Sequence, residues 1–327
     1  MVEIEMTTRV PLILGTANIG VAGRTAVSVS TTEAAQELIN VFSEKYSELD
    51  SARIYGDGTA EELLSKLDLR GGSIDTKVHP KNHPGGHQPE AIRSVVETCL
   101  KALHPHKIRV LYLHRPDRSV PFENTLGEIN KLHQEGKFEL FGLSNYRAWE
   151  LVEMIHICKA NNWIEPTYCQ APYNAISRTI ESELIPAARK YGIRVVTYNP
   201  LAAGFLTGRI SSKEDVGGKD DIFNAANSWL GPVLQARYLN DSQFEAMKVV
   251  KTAAEKADIP LAEIGYRWLQ HHSALSPADG IIFGSSTLAH LISNMASVEK
   301  GPLPEGVVSA LDAAYKIVGH DAPQYWR

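Results

Sequence analysis

Three cysteines in 327 residues, Cys99, Cys158 and Cys169, are too few and too irregularly spaced for a disulfide framework or a thiolate metal site. No apolar run approaches the roughly 18 residues that a membrane span needs. The opening MVEIEMTTRV lacks the basic start and apolar stretch of a secretory signal. An excess of basic residues is missing too: 33 Lys and Arg against 38 Asp and Glu give a formal net charge of -5, which offers no basic face for nucleic acid. These absences leave a cytoplasmic globular chain with no membrane or nucleic-acid partner, a monomer or homodimer acting on a small molecule.

What is present is a regular alternation. Short runs rich in Val, Ile, Leu and Tyr occur at residues 11–17, 47–52, 73–78, 110–115, 139–145, 167–172, 194–200 and 280–286. Amphipathic stretches such as TEAAQELINVFSEKY and PEAIRSVVETCLKAL separate them, with Thr31 or Thr32, Asp57 and Ser177 as expected N-caps. Eight such units in one chain predict a (β/α)8 TIM barrel, an α/β fold in which reacting groups sit at the C-terminal ends of the strands. The expected organisation is one barrel domain over residues 1–327, with long loops at the C-terminal mouth. One of these loops spans about residues 201–240, and a tail covers about residues 320–327. A second loop, HPKNHPGGHQP at residues 79–89, is rich in Pro, Gly and His. Its three histidines have no acid or cysteine at ligand spacing, so a solvated loop is favoured over a zinc site, and no metal is expected.

The strand-end rule gathers Asp50, Tyr55, Lys77 and His114 at one mouth, beside Ser144, Asn145, Gln170 and Tyr198. A phenol titrates near 10, so a tyrosine that gives up its proton near neutral pH needs a neighbouring cation to favour the phenolate. Lys77 supplies that cation, Asp50 keeps it charged, and His114 can donate a hydrogen bond to an oxygen lying above the phenol. The four together suit protonation of a developing alkoxide, as carbonyl reduction demands. A lone residue of any of these types would more often be structural; the four matching positions carry the reading.

The segments LDSARIYG, DTKVHP, LYLHRPD, GLSNY, YNPLAAGFLTGR and GSSTLAHLISN resemble the aldo-keto reductase superfamily. QAPYN and the closing APQYWR look most like its aflatoxin-aldehyde reductase subgroup. The resemblance implies an NADPH-dependent oxidoreductase that reduces an aldehyde or ketone, with Tyr55 as proton donor, Lys77 and Asp50 lowering its pKa, and His114 orienting the carbonyl. It implies a nicotinamide cofactor whose carboxamide meets Ser144, Asn145 and Gln170 and whose ring stacks on Tyr198, with Asn199, Leu201 and Gly204 nearby. No GxGxxG follows the first strand, so the phosphates are expected instead at the 201–208 loop and at the Gly284, Ser285 and Ser286 turn before a helix. Arg209, Ser285 and His290 are the candidates for a 2'-phosphate and Asn294 for the adenine. Relatives often carry a lysine where this chain has Gly284, which leaves NADH as the other candidate cofactor. Trp229 and Arg327 are the candidate substrate contacts, Arg327 for an anionic group. The competing function is a cofactor-sensing regulatory subunit that keeps a reductase-like barrel and turns over slowly. A metal hydrolase on the same fold is disfavoured for want of ligand groupings.

Overall fold

The structure, a computed structural model, describes residues 9–216, 222–224 and 230–327. Eight parallel strands form a closed barrel in chain order, the last pairing with the first. They are β1 (Leu12–Gly15), β2 (Glu48–Asp50), β3 (Ser73–Val78), β4 (Ile108–Leu113), β5 (Leu140–Ser144), β6 (Pro166–Pro172), β7 (Arg194–Tyr198) and β8 (Gly280–Phe283). Every sequence run overlaps its strand and β3 agrees residue for residue, while β4 begins two residues and β6 one residue before the expected runs. Between them lie α1 (Thr32–Phe42), α2 (Thr59–Leu64), α3 (Pro89–Leu103), α4 (Phe122–Gln134), α5 (Ala148–Asn161) and α6 (Leu184–Tyr191). The β7 to β8 connection holds α7 (Leu230–Tyr238), α8 (Asp241–Ala257) and α9 (Leu261–His271), and α10 (Leu288–Val298) and α11 (Glu305–Val318) follow β8.

Period-two alternation sorts the strand residues between two environments. Leu12 and Leu14 join the large apolar cluster between strands and helices, whereas Ile13 joins a separate small cluster with Val196 and Ile282. The barrel interior is layered. At the N-terminal end Arg109 chelates Asp75 and also meets Glu48, which Arg194 grips as well. Above this ionic layer lie the rings of Tyr112 and Tyr168, edge to face at 6.2 Å. Gly142 faces Tyr112 so closely that a Cβ there would come within 2.5 Å of its ring, so only glycine lets the ring lie flat against β5. The top layer, two residues further along each strand, is the polar set of Asp50, Lys77, Ser144 and Gln170.

Of the local expectations one holds and three change. Thr31 caps α1, accepting from the Ala34 N–H. Asp57 does not cap α2: it has φ 54°, the cap position is Gly58 at φ 97°, and the Asp57 carboxylate instead accepts from the Thr25 N–H. Ser177 is no cap either, because its backbone pairs with Asn174 in a tight bridge ahead of the short turn Thr179–Glu181. The expected 201–240 loop is partly helical. Leu230, Leu234 and Tyr238, four residues apart, give α7 an inward stripe that a reading dominated by the glycines upstream passes over.

Candidate active site

Asp50 and Lys77 end up in contact because their strands pair in register, Asp50 opposite Asp75, with Lys77 two residues further along the same face. Lys77 is fully buried and uses all three of its donors. Its Nζ lies 2.6 Å from Asp50 Oδ2, 2.7 Å from the Ser51 carbonyl and 3.4 Å from the Tyr55 hydroxyl. Asp50 is pinned from its other oxygen by the Gln170 amide at 2.9 Å. Tyr55 comes from the turn after β2, where Gly56 and Gly58, both at positive φ, bring the chain back toward the mouth. His114 follows β4, with its ring 5.9 Å from that of Tyr55 and roughly perpendicular to it.

The protonation states follow from burial against charge. Burial strips protons from an ammonium, but Asp50 and then Tyr55 outweigh it, so Lys77 is held above its ordinary value and remains a cation. Burial pushes Tyr55 upward; the Lys77 charge pulls the other way, and Asp50 adds to the rise. The net direction corrects the expectation of a phenol lowered outright. Tyr55 stays protonated and loaded, and the effect of Lys77 is to limit the cost of phenolate once the proton leaves. His114 is driven well below the histidine range, first by burial and then by Lys77, and is a neutral imidazole. Its Nδ1 is buried without a partner among the described residues, which favours the tautomer whose proton is on Nε2.

The next strands continue the polar floor. The Asn145 side-chain nitrogen donates to the His114 carbonyl at 2.8 Å and to Ser144 Oγ at 2.9 Å. Its oxygen accepts from the Tyr198 hydroxyl at 2.6 Å. Asn145 itself has φ 64°. Ser144 therefore keeps its own hydroxyl proton to donate, and Gln170 keeps an amide oxygen that has no protein partner among the described residues. A donor and an acceptor side by side suit the carboxamide of a nicotinamide. Beyond β7 the loop carries Asn199, Ala202, Ala203 and Gly204 at φ 58°, 50°, 58° and 94°. Three non-glycine residues in left-handed backbone cost roughly 1–2 kcal/mol each, a strain that clusters at ligand-holding loops. Leu201 starts this loop, its carbonyl accepting from Gly204 and Leu206, and Arg209 is exposed at its end. At the start of α10 a Cβ on Gly284 would meet nothing within 4 Å. Ser285 is buried, its carbonyl held by Asn18 and its hydroxyl 3.4 Å from the Asn294 amide. His290 is exposed, its Nδ1 2.8 Å from Ser286 Oγ. Open backbone next to a helix N-terminus fits a phosphate.

Above the floor is a cavity of about 780 Å³ that includes Ile54, His79, Arg115, Arg237, Trp326 and Arg327 in its lining. The tail is tied down around it. The Tyr325 hydroxyl donates to Glu183 and accepts from the Ala148 N–H, the Arg327 N–H donates to the Asn145 carbonyl, and Arg147 stacks 3.5 Å above the Trp326 ring. The structure thus brings Arg327 to the mouth, while Trp229 lies outside the described residues. Arg237, which nothing in the sequence pattern distinguishes from a surface charge, is 8% exposed and faces this cavity. Sequence reading passed over Arg115, although the position directly after His114 was a usable signal. Of the three histidines in the 79–89 loop, His79 lines the cavity, His83 accepts from the Gly85 N–H and His87 is buried. Among the described residues no group of three or more His, Cys, Asp or Glu could hold a metal ion. Nor is any helix there long and apolar enough to cross a membrane.

Comparison with known proteins agrees with this geometry. The model of the Aldo/keto reductase family matches residues 11–316. The chain belongs to the aldo/keto reductase family. It is 41% identical to aflatoxin B1 aldehyde reductase member 2 of Mus musculus, covering 88% of this chain and 82% of that one. The Homo sapiens protein of the same name is 39% identical over 98% of this chain and 90% of its own length. Aldo-keto reductase family 7 member A3 of Homo sapiens is 40% identical over 86% and 88%. The chain is accordingly an oxidoreductase of the carbonyl-reducing kind, and a purely regulatory role gains no support.

Proposed function

We propose that this aldo/keto reductase reduces an aldehyde or ketone to the alcohol with NADPH, Tyr55 supplying the proton. The observation that carries the reading is the unbroken chain Asp50, Lys77, Tyr55, closed above by a neutral His114. The carbonyl oxygen lies between the Tyr55 hydroxyl and His114 Nε2–H, which polarise it and fix the face of the carbon that is exposed. When bound, the nicotinamide supplies the hydride that this carbon takes up. As negative charge develops on the oxygen, Tyr55 transfers its proton there, and the hydride on carbon and the proton on oxygen together give the alcohol. Lys77 stabilises the resulting phenolate, and Asp50 holds Lys77 charged and in place throughout. Preorganised donors of this kind act without reorganising during the reaction.

Ser144 and Gln170 would hold the carboxamide, with Asn145 orienting Ser144 and Tyr198 covering the ring. Asn199, Leu201, Gly204 and the Gly284 and Ser285 turn would meet the phosphates. Arg209 and His290 would meet the 2'-phosphate that distinguishes NADPH from NADH, and Asn294 the adenine. Arg327, held at the mouth by its backbone bond to Asn145, would engage a carboxylate or another anionic group on the substrate. Such a cofactor pool and substrate are consistent with a cytoplasmic enzyme.

The test is oxidation of NADPH, followed at 340 nm, with a panel of aldehydes and ketones, together with fluorescence titration of both cofactors. Saturable NADPH binding and aldehyde-dependent oxidation are expected. Binding without turnover of any carbonyl compound would instead favour the cofactor-sensing reading, and equal affinity for NADH would remove the 2'-phosphate assignments.

A further inference from the structure

Tyr55 is carried by a turn that its own backbone does little to fix. Gly56, Asp57 and Gly58 follow it at φ 54°, 54° and 97°, so no regular helix or strand sets where the hydroxyl lies. Its distance to Lys77 matters, because 3.4 Å is close to the limit of a hydrogen bond and the pull of a buried charge falls with separation. A small outward drift of the turn would break the contact.

Next to this turn is a buried polar group that the reaction does not touch. Glu61, on α2, is fully buried. Its Oε2 accepts from Arg53 Nη1 at 2.7 Å and its Oε1 from the Thr76 hydroxyl at 2.6 Å, so both carboxylate oxygens are taken. Arg53 lies two residues before Tyr55, and Thr76 directly precedes Lys77 on β3. The Arg53 backbone N–H also donates to the Lys77 carbonyl at 3.1 Å. Arg53 is thus tied to β3 twice, by its main chain to Lys77 and by its side chain, through Glu61, to Thr76. Its guanidinium lies against Gly58, where a Cβ would come within 2.2 Å of Nη2, so the far end of the turn rests on the same group. Alternation along β3 turns Lys77 into the barrel and Thr76 outward to α2, and one strand holds the cation on one face and the clamp on the other.

A buried ion pair is a poor source of stability, since desolvation offsets its attraction and apolar side chains of similar volume often hold a core as well. What it supplies is direction, because charge-assisted hydrogen bonds fix distances that apolar packing leaves loose. We propose that Arg53, Glu61 and Thr76 are positioning residues that set the spacing between Tyr55 and Lys77, and through it the ease with which Tyr55 gives up its proton. None of the three lines the 780 Å³ cavity, so they act through Tyr55 and not on the substrate. This inference rests on the reading of Tyr55 as proton donor and names what holds that donor in place.

The experiment exchanges the whole group at once, Arg53→Met with Glu61→Leu and Thr76→Val, so that no charge or hydroxyl of the clamp is left stranded. With benzaldehyde as substrate, kcat, KM, the NADPH dissociation constant and the melting temperature are measured in the wild-type and Tyr55→Phe backgrounds. With Tyr55 present the exchange is expected to lower kcat by about 10-fold or more, with KM, NADPH binding and melting temperature little changed. In Tyr55→Phe it should lower kcat no further, because no proton donor is left to position. Thr76→Val alone replaces a hydroxyl by a methyl group and keeps the Arg53 to Glu61 pair. It should give a smaller loss with the same dependence on Tyr55, restored by Thr76→Ser, and it decides the matter if the triple exchange does not fold. Wild-type kcat in every folded variant, or a loss of equal size in the two backgrounds, would overturn the positioning role. Reduction by Tyr55→Phe at the wild-type rate would instead remove the proton-donor reading beneath it.

Discussion

At the scale of the residue, the catalytic set was legible because its chemistry conflicts with its location. Asp50 and Lys77 are costly at buried strand ends unless they pair, and Tyr55 and His114 follow the strands that carry or adjoin them. What the sequence hid was the balance of forces on each proton, since burial, not charge, dominates the shift of Tyr55. Arg115 and Arg237 were illegible for a related reason: long cations are ordinarily solvated, and only the folded mouth shows these two facing a common cavity. The pair of Lys77 with Asp50 makes a pH prediction. Lys77 sits above its ordinary value because Asp50 overrides burial. In Asp50→Asn burial acts unopposed by that carboxylate, and the ammonium loses its proton at lower pH. The alkaline decline of kcat/KM should therefore begin at lower pH in Asp50→Asn than in the wild type, and a profile of kcat/KM against pH checks this. An unmoved alkaline limb would mean that the Lys77 charge does not govern the reaction.

At the scale of the element, the eight strands were readable because each is a short apolar run between breakers. The 201–240 region was not, because its glycines mask the stripe of α7. The tail was readable only in part. Tyr325 and Trp326 signalled packing, but the partners Asn145, Arg147 and Ala148 from the β5 to α5 turn and Glu183 just ahead of α6 are distant in sequence. The Tyr325 hydroxyl holds two of these contacts and is buried. Tyr325→Phe should cost about 1–3 kcal/mol, the price of leaving buried polar groups unsatisfied, measurable by urea unfolding. By loosening Arg327 it should also raise KM for anionic aldehydes more than for uncharged ones of similar size. Arg327→Ala separates the two effects, because it keeps the backbone bond to Asn145. It should raise KM for anionic aldehydes with little change in stability or in NADPH affinity, as fluorescence titration would show.

At the scale of the whole molecule, the barrel was legible from the count and spacing of its strands, but its closure over a layered polar and aromatic interior was not. The structure also sets how stability depends on pH. Burial lowers the pKa of His87 to about 4 and that of His79 to about 3, from the usual histidine value of 6.5. Depressed histidines contribute stability that is complete above about 6.5 and is lost as pH falls through the folded values, because only the unfolded chain takes up those protons freely. Asp75 opposes this: burial raises it to about 6 from 3.8, so the folded chain binds that proton first and gains as pH falls between those values. The opposed contributions are separated by His87→Gln. The wild type should lose about 3 kcal/mol more than the variant between pH 7 and pH 4, read from urea unfolding at each pH. Parallel curves would show that His87 protonates equally in both states.

Proton donation by Tyr55 is tested most directly by kcat for a good aldehyde substrate in Tyr55→Phe, with the NADPH dissociation constant measured on the same preparation. Only the hydroxyl 3.4 Å from Lys77 is removed. A fall in kcat of about 100-fold or more, the scale of general-acid catalysis, with NADPH binding and melting temperature unchanged, is the predicted result. Reduction at the wild-type rate would contradict it.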